Sequence, residues 1–182
     1  MGVDGGLKLT MVRENLDDLP DIKLPVGYSL VWYSPGMEAD WIRIHEKAEK
    51  YLQIDYLKYE KEFGSREDDL KQRQCFIRNS QQEIVGTASA WFDSLFMGES
   101  FGRVHWVAIV PEEQGKKLSN CLLTAILLRL KDLHYHKAYL TTSTQRLGAI
   151  HLYLKFGFVP IIESEASARA WEQYLLIKKQ HE

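Results

Sequence analysis

Cysteine and proline are scarce in this chain of 182 residues, with two of the first and five of the second. Cys75 and Cys121 stand far apart and join no His-rich cluster, so no metal site is expected. Cys121 lies inside NCLLTAILL and reads as a buried thiol. His134 and His136 flank Tyr135 near a predicted helix end, where a cation suits the helix dipole, and they lack a third ligand. No apolar run is long enough to cross a bilayer. The first ten residues, MGVDGGLKLT, lack the basic-then-apolar layout of a signal peptide. The expectation is a cytoplasmic protein without a membrane partner. An excess of one charge is missing too: the net charge is −2, which argues against nucleic acid as a partner. Two glycine fingerprints are absent, G-x-G-x-x-G and G-x-x-x-x-G-K-[ST], so a nicotinamide enzyme and a P-loop kinase both fit poorly.

What is present is the composition of an ordinary globular domain, 45% apolar and 26% charged, in a length that suits one domain, residues 1–182. Residues 1–27 are rich in Asp, Pro and Gly and are expected to form an irregular arm. YSLVWYS (28–34) alternates like a strand. Apolar residues then recur at helical spacing over 37–51 and 54–63, with Gly64 as a stop and a short helix following to about Arg73. RQCFIRN and EIVGTASAWF form a predicted hairpin around Ser80–Gln82. Phe101–Val110 is a strand whose end, VHWVAIV, is apolar on both faces except at His105, so it is placed centrally. Lys116–Leu133 reads as a well-covered helix, KAYLTTS as a strand, and Arg146–Phe156 as a helix ended by Gly157. FVPII is a strand that Pro160 confines to an edge or bulge. The tail AWEQYLLIKK fits either a strand or a helix. The order predicts an α/β (α+β) fold with a strand–helix–strand crossover over 101–143.

The join between the central strand and the next helix carries the first chemical signal. A helix that begins there offers free backbone N–H groups and the positive end of its dipole to an anion. Lys116 and Lys117 favour that anion, and Glu112 and Glu113 oppose it. From local physics alone a solvated helix start is the better explanation, because any strand–helix join exposes such donors.

HWVAIVPEEQGKKLSNCLL resembles the acyl-CoA-binding motif of the GCN5-related N-acetyltransferases (GNAT): a V-A-V-like strand, a short proline segment, then [QR]-x-x-G-x-[GA] opening a helix. Gln114 stands at the Gln/Arg position, Lys117 at the glycine and Ser119 at the Gly/Ala. AIHLYLKFGFVP resembles the family's A-x-x-L-Y-x-x-x-G-F segment through Ala149, Leu152, Tyr153, Gly157 and Phe158. Arg146 stands where an Asn often opens that segment. It is expected either to contact the cofactor or to pair with an acid. The resemblance covers about 101–160 and implies a mixed, mostly antiparallel central sheet flanked by helices.

The resemblance also implies direct transfer of an acetyl group from acetyl-CoA to a primary amine, on a small molecule or a protein, by a monomer or homodimer. It assigns the strand Val107, Ala108, Ile109 and Val110 to the pantetheine arm and the thioester carbonyl. The loop Gln114, Gly115, Lys116, Lys117, Leu118 and Ser119 is assigned to the rest of the cofactor, and Arg146 joins it in the first of its two open roles. Tyr153 is the implied general acid for the departing sulfur, although periodicity alone places it beside a core stripe. His105, two residues before Val107, is the first candidate for the base, with Glu99 and Asp93 behind it. Trp32, Trp41, Tyr51, Tyr56 and Trp91 lie in the elements that would wall the acceptor side; aromatics there can hold an amine by cation–π contact, and more often they are simply core. Two other readings stand beside the enzyme: a non-catalytic acyl-CoA-binding or regulatory module of the same fold, and an interaction module using the helical N-terminal half.

Overall fold

The computed structural model describes residues 6–181, the side chains of Ser94 and His181 excepted. Seven strands form one sheet in the order β2-β3-β4-β5-β6-β1-β7. Their ranges are β1 Lys8–Arg13, β2 Ser29–Trp32, β3 Gln74–Arg78, β4 Ile84–Phe96, β5 Glu99–Ile109, β6 Ala138–Ser143 and β7 Val159–Pro160. Six helices accompany them: α1 Glu38–Ala48, α2 Tyr56–Phe63, α3 Glu67–Arg73, α4 Leu118–Asp132, α5 Leu147–Lys155 and α6 Glu165–His181. Every strand pair is antiparallel except β5 with β6.

β5 sits at the middle of the sheet, as its apolar run predicts. β7, with Pro160, sits at an edge, where a residue without an N–H breaks no ladder. One expectation is overturned. The stretch 1–27 is not wholly irregular, because KLTMVR within it forms β1 between β6 and β7. The first five residues of that stretch lie outside the described region. The ambiguous tail is a helix, α6, whose N-terminus is capped by Ser164 Oγ accepting from Ser167 N.

α4 covers one face of the sheet. Leu122, Leu123, Ile126, Leu127 and Leu130 are all fully buried, and each such side chain contributes about 1.5–3 kcal/mol. Gly102 on β5 leaves room for Leu130, whose atoms lie within 3.0 Å of where a Cβ would stand. α1 and α2 cover part of the other face. Trp41 from α1 meets Tyr59 and Phe63 from α2 edge-on, with ring centroids 5.2 and 5.6 Å away. Asp55 caps α2 by accepting from Lys58 N at 2.8 Å, and Gly64 ends it with φ 63°.

Candidate active site

β5 is held by β4 along its length, from the Phe96↔Glu99 pair to the Gly86↔Ile109 pair. Against β6 it pairs only at Gly102↔Ala138 and Arg103↔Tyr139. Beyond Arg103 the two parallel strands part. From Val104 to Ile109 the β6-facing edge of β5 therefore has no neighbouring strand. Such an edge offers N–H and C=O groups to an extended ligand.

A bulge shapes that edge. Between Thr87↔Ala108 and Ser89↔His105, β4 advances two residues while β5 advances three. Trp106 takes up the extra residue with φ 50°. Two consecutive side chains consequently face α1 and α2. His105 lies beside Glu62 and Phe63, and Trp106 packs against Trp41 and His45 with centroids 5.1 and 5.0 Å away.

The loop after β5 is a donor cradle. Gly115 and Lys117 both adopt left-handed backbone, with φ 82° and 62°. The backbone N–H groups of Gly115 to Ser119 have no backbone acceptor among the described residues, as a helix start requires. Gln114 turns its side chain inward and donates from Nε2 to the Ile109 carbonyl at 3.1 Å, which ties the loop to the strand end. Lys116 is drawn aside. Its Nζ lies 2.7 Å from Glu113 Oε2 and 3.1 Å from the Tyr28 hydroxyl.

Two clefts open on this strand end. The larger, of about 600 Å³, runs under α1, the α1–α2 connection and β6. The smaller, of about 340 Å³, runs over the loop and the start of α4. Val107, Ala108, Ile109, Gln114, Ala149 and Tyr153 line both. A group lying along β5 at 107–109 would thus be reached from two sides.

Tyr153 stands at that junction because α5 ends in a Schellman motif. Phe158 N donates to the Tyr153 carbonyl and Gly157 N to that of Leu154, both at 3.0 Å, with Gly157 at φ 76°. The Phe158 ring packs against the Tyr153 ring, centroids 6.1 Å apart. Arg13 Nη1 adds a bond to the Phe156 carbonyl. Burial pushes the Tyr153 phenol up to about 12, and the nearby Arg146 pulls the other way.

The larger cleft holds the titratable groups. His105 is 6% exposed, and burial pulls it down to about 4 against the opposing pull of Glu62, so it is neutral at pH 7. Its Nε2 lies 3.0 Å from Glu62 Oε2, angled away from an ideal hydrogen bond. His105 and then Lys58, whose Nζ is 2.8 Å from Glu62 Oε1, hold the Glu62 carboxyl well below the usual carboxylate range. His45 is buried deeper still and pulled down to about 3, with its Nε2 unpartnered.

Arg146, for which two roles were open, pairs with an acid. Its Nη2 lies 2.6 Å from Glu49 Oε2 at the wall of the larger cleft. Glu49 and Glu62 are absent from the sequence-based candidates. Glu49 meets Arg146, which is distant in sequence, and Glu62 meets distant His105 as well as nearby Lys58, whose i,i+4 spacing is common on solvated helix faces, so no local pattern marks either one. Other expectations are corrected. Glu99 is bound to Lys137 at 2.8 Å and Asp93 accepts from the Tyr139 hydroxyl at 2.7 Å, and neither lines the cleft. Of the five aromatics in the elements of the acceptor side, Tyr51 alone lines the cleft among the described residues, and the reading as core holds for two others. Trp41 and Trp91 are core, Tyr56 is exposed, and Trp32 stacks under the Arg129 guanidinium 4.1 Å away. Val110, expected on the cofactor strand, bonds instead through its N–H to the Val85 carbonyl.

Comparison with known proteins places these features in a family. Residues 38–158 match the Acetyltransferase (GNAT) family. A mycothiol acetyltransferase from Pseudarthrobacter chlorophenolicus is 28% identical over 166 residues, covering 78% of this chain and 45% of that protein. The fold is shared with a GCN5-related N-acetyltransferase from Sphaerobacter thermophilus, at TM-score 0.72 and 18% identity over 88% of this chain and 50% of that one. It is also shared with the ribosomal-protein-S18-alanine N-acetyltransferase of Escherichia coli, at TM-score 0.60 and 14% identity over 74% of this chain and 79% of that one. The chain spans about half the length of the first two. With a matched segment that takes in α1, the bulged β5, the donor loop and α5, the chain belongs to the acetyltransferase (GNAT) family.

Proposed function

We propose that this domain transfers an acetyl group from acetyl-CoA directly to a primary amine. The observation that carries the reading is the junction at Val107–Ile109, where an unpaired strand edge is open to two clefts and Tyr153 stands over both. The residues fit the donor: the smaller cleft ends in the free N–H groups of Gly115 to Ser119, which suit a diphosphate at a helix start. The thioester supplies the activated acyl carbon.

The chain supplies the rest. Backbone N–H groups on the open edge of β5 at 107–109 orient the pantetheine arm and polarise the thioester carbonyl. A lysine-type amine must first lose a proton, which costs about 4.6 kcal/mol at pH 7. Neutral His105, with Glu62 beside it to stabilise the imidazolium, accepts that proton directly or through water. As the N–C bond forms and the C–S bond breaks, the Tyr153 hydroxyl protonates sulfur, and the second proton shed by the acylated nitrogen returns through water to the Tyr153 phenolate. Burial raises the phenol, and it raises a thiol in the same dry surroundings, so the two stay matched for transfer.

Incubation of the full chain with acetyl-CoA and a panel of amines tests this. Free thiol should appear together with an amine heavier by one acetyl group. Tight CoA binding with no thiol release from any amine would favour the non-catalytic module instead.

A further inference from the structure

We infer that the acceptor is a small amine that also bears an acidic group, a carboxylate or a phosphate, held by Arg103 and Lys8. The inference rests on the transfer reading above and names the substrate class of its larger cleft. Both residues line that cleft. Arg103 is the last β5 residue paired with β6, so its side chain starts from the point where the two strands separate. The registers Arg103↔Tyr139, Thr10↔Thr141 and Lys8↔Ser143 put Arg103, Thr141, Ser143 and Lys8 on one face of the sheet, since cross-strand partners and alternate residues share a face. Where it lines the cleft that face is polar, with two hydroxyls and two cations, while farther along it Val12, Phe101 and Tyr139 form a buried apolar cluster.

The charges of the cleft do not balance. Its two carboxylates already have cations of their own: Glu49 has Arg146 at 2.6 Å and Glu62 has Lys58 at 2.8 Å. His45 and His105 are neutral at pH 7. Among the described residues neither Arg103 nor Lys8 has a carboxylate within ion-pair distance. Arg103 rests over the Tyr139 ring at 5.9 Å, and its buried Nε has no hydrogen-bond partner. A buried guanidinium donor without an acceptor is costly, and a ligand carboxylate or phosphate relieves that cost through paired N–H bonds.

The donor's own phosphates do not answer this demand. The loop assigned to them starts beyond Ile109. Arg103 lies four residues before Val107, about 13 Å along the strand, on the other side of the thioester position. His105 is two residues from Arg103 on the same face, about 7 Å along the strand. One compact molecule can therefore present its amine to His105 and Glu62 and its acid to Arg103. A cleft of about 600 Å³ suits such a ligand.

Matched pairs test the inference on the full chain with acetyl-CoA, read as thiol release: amino acids against their carboxamides, and O-phosphoethanolamine against ethanolamine. The acid-bearing member of at least one pair should have a kcat/KM ten-fold or more above its neutral partner, and the pair tells carboxylate from phosphate. That ratio should fall at least ten-fold in Arg103→Gln and several-fold in Lys8→Gln, chiefly through KM. Arg103→Lys, which keeps the charge and loses the fork, should lie between and serves if Arg103→Gln misfolds. Equal use of both members, or a preference that survives the substitutions, overturns the inference. If no amine releases thiol, calorimetric titration of the same pairs into the CoA-loaded protein decides. Acid-selective binding lost in Arg103→Gln or Arg103→Lys upholds the acidic-ligand site while the transfer reading falls, and absence of selectivity overturns the site itself.

Discussion

Arg146 and Glu49, 97 residues apart, meet at 2.6 Å and join the start of α5 to the end of α1. The Glu49 side chain is 2% exposed, and its other oxygen accepts from Lys50 N and Tyr51 N at 2.9 Å each. The pair is a tie across the mouth of the larger cleft. Replacing Arg146 by Met would leave an enclosed carboxylate with backbone donors alone, so the variant should lose about 2–4 kcal/mol of stability in urea unfolding. Adding Glu49→Gln should restore a large part of that loss. Strictly additive losses would show that the two residues act independently.

The donor loop places an L-residue where glycine is easiest. Left-handed backbone at Lys117 costs about 1–2 kcal/mol, while a glycine there would lose about 0.5–1 kcal/mol to unfolded-chain entropy. Lys117→Gly should therefore stabilise the protein by up to about 1 kcal/mol, with CoA affinity changed less than ten-fold. Gly115→Pro should do the opposite. It removes one donor and demands φ near −65° where the chain has 82°. CoA affinity should drop at least ten-fold by calorimetry, with the sheet intact by circular dichroism. Unchanged affinity would sink the assignment of the loop to the diphosphate.

Tyr153→Phe separates chemistry from packing. The ring contact with Phe158 and the Schellman closure of α5 use no hydroxyl, so stability should change by less than about 1 kcal/mol. Turnover should fall about 10²-fold, with CoA affinity within three-fold of the parent. Full activity would return Tyr153 to a packing role.

Two buried neutral imidazoles set the response to acid. His105 and His45 are pulled to about 4 and about 3, from an ordinary 6.5 that they regain on unfolding. Below pH 6.5 the unfolded chain binds protons that the folded one refuses, so stability is complete above that pH and is lost as pH falls. By pH 5 the two together should cost a few kcal/mol, visible as a fall in Tm between pH 7 and pH 5. His45→Gln, leaving only His105 buried, should flatten the slope by about half. A Tm independent of pH over this range would mean that both histidines titrate in the fold as they do in the unfolded chain.

The middle of the molecule was readable from residue order, because β5, α4 and α5 carry their own periodicity and α5 its own stop at Gly157. β1 was not. KLTMVR sits among Asp, Pro and Gly, and what makes it a strand is pairing with β6 and β7, whose partner residues lie 125 or more positions on. The site divides in the same way. Gln114, Gly115 and Tyr153 lie in contiguous motifs. Glu49, Glu62, Lys8 and Arg103 gain meaning only from partners, or a lack of partners, that folding creates. The bulge at Trp106 was invisible because a run apolar on both faces shows no break in alternation.

That bulge divides β5 into two halves that obey opposite parity. Before it, even-numbered Gly102 faces Leu130 of α4; after it, odd-numbered Ile109 lies with Leu122 of the same helix around Gly86. A single-residue deletion at this point would not shorten the strand so much as turn one half over. Residues that meet α1 and α2 would then point at α4, and the buried α4 side would point into the cleft. Drift along β5 can therefore proceed by substitution, one side chain at a time. Loss or gain of one residue there is a change of handedness for half the site, with no intermediate length between the two arrangements.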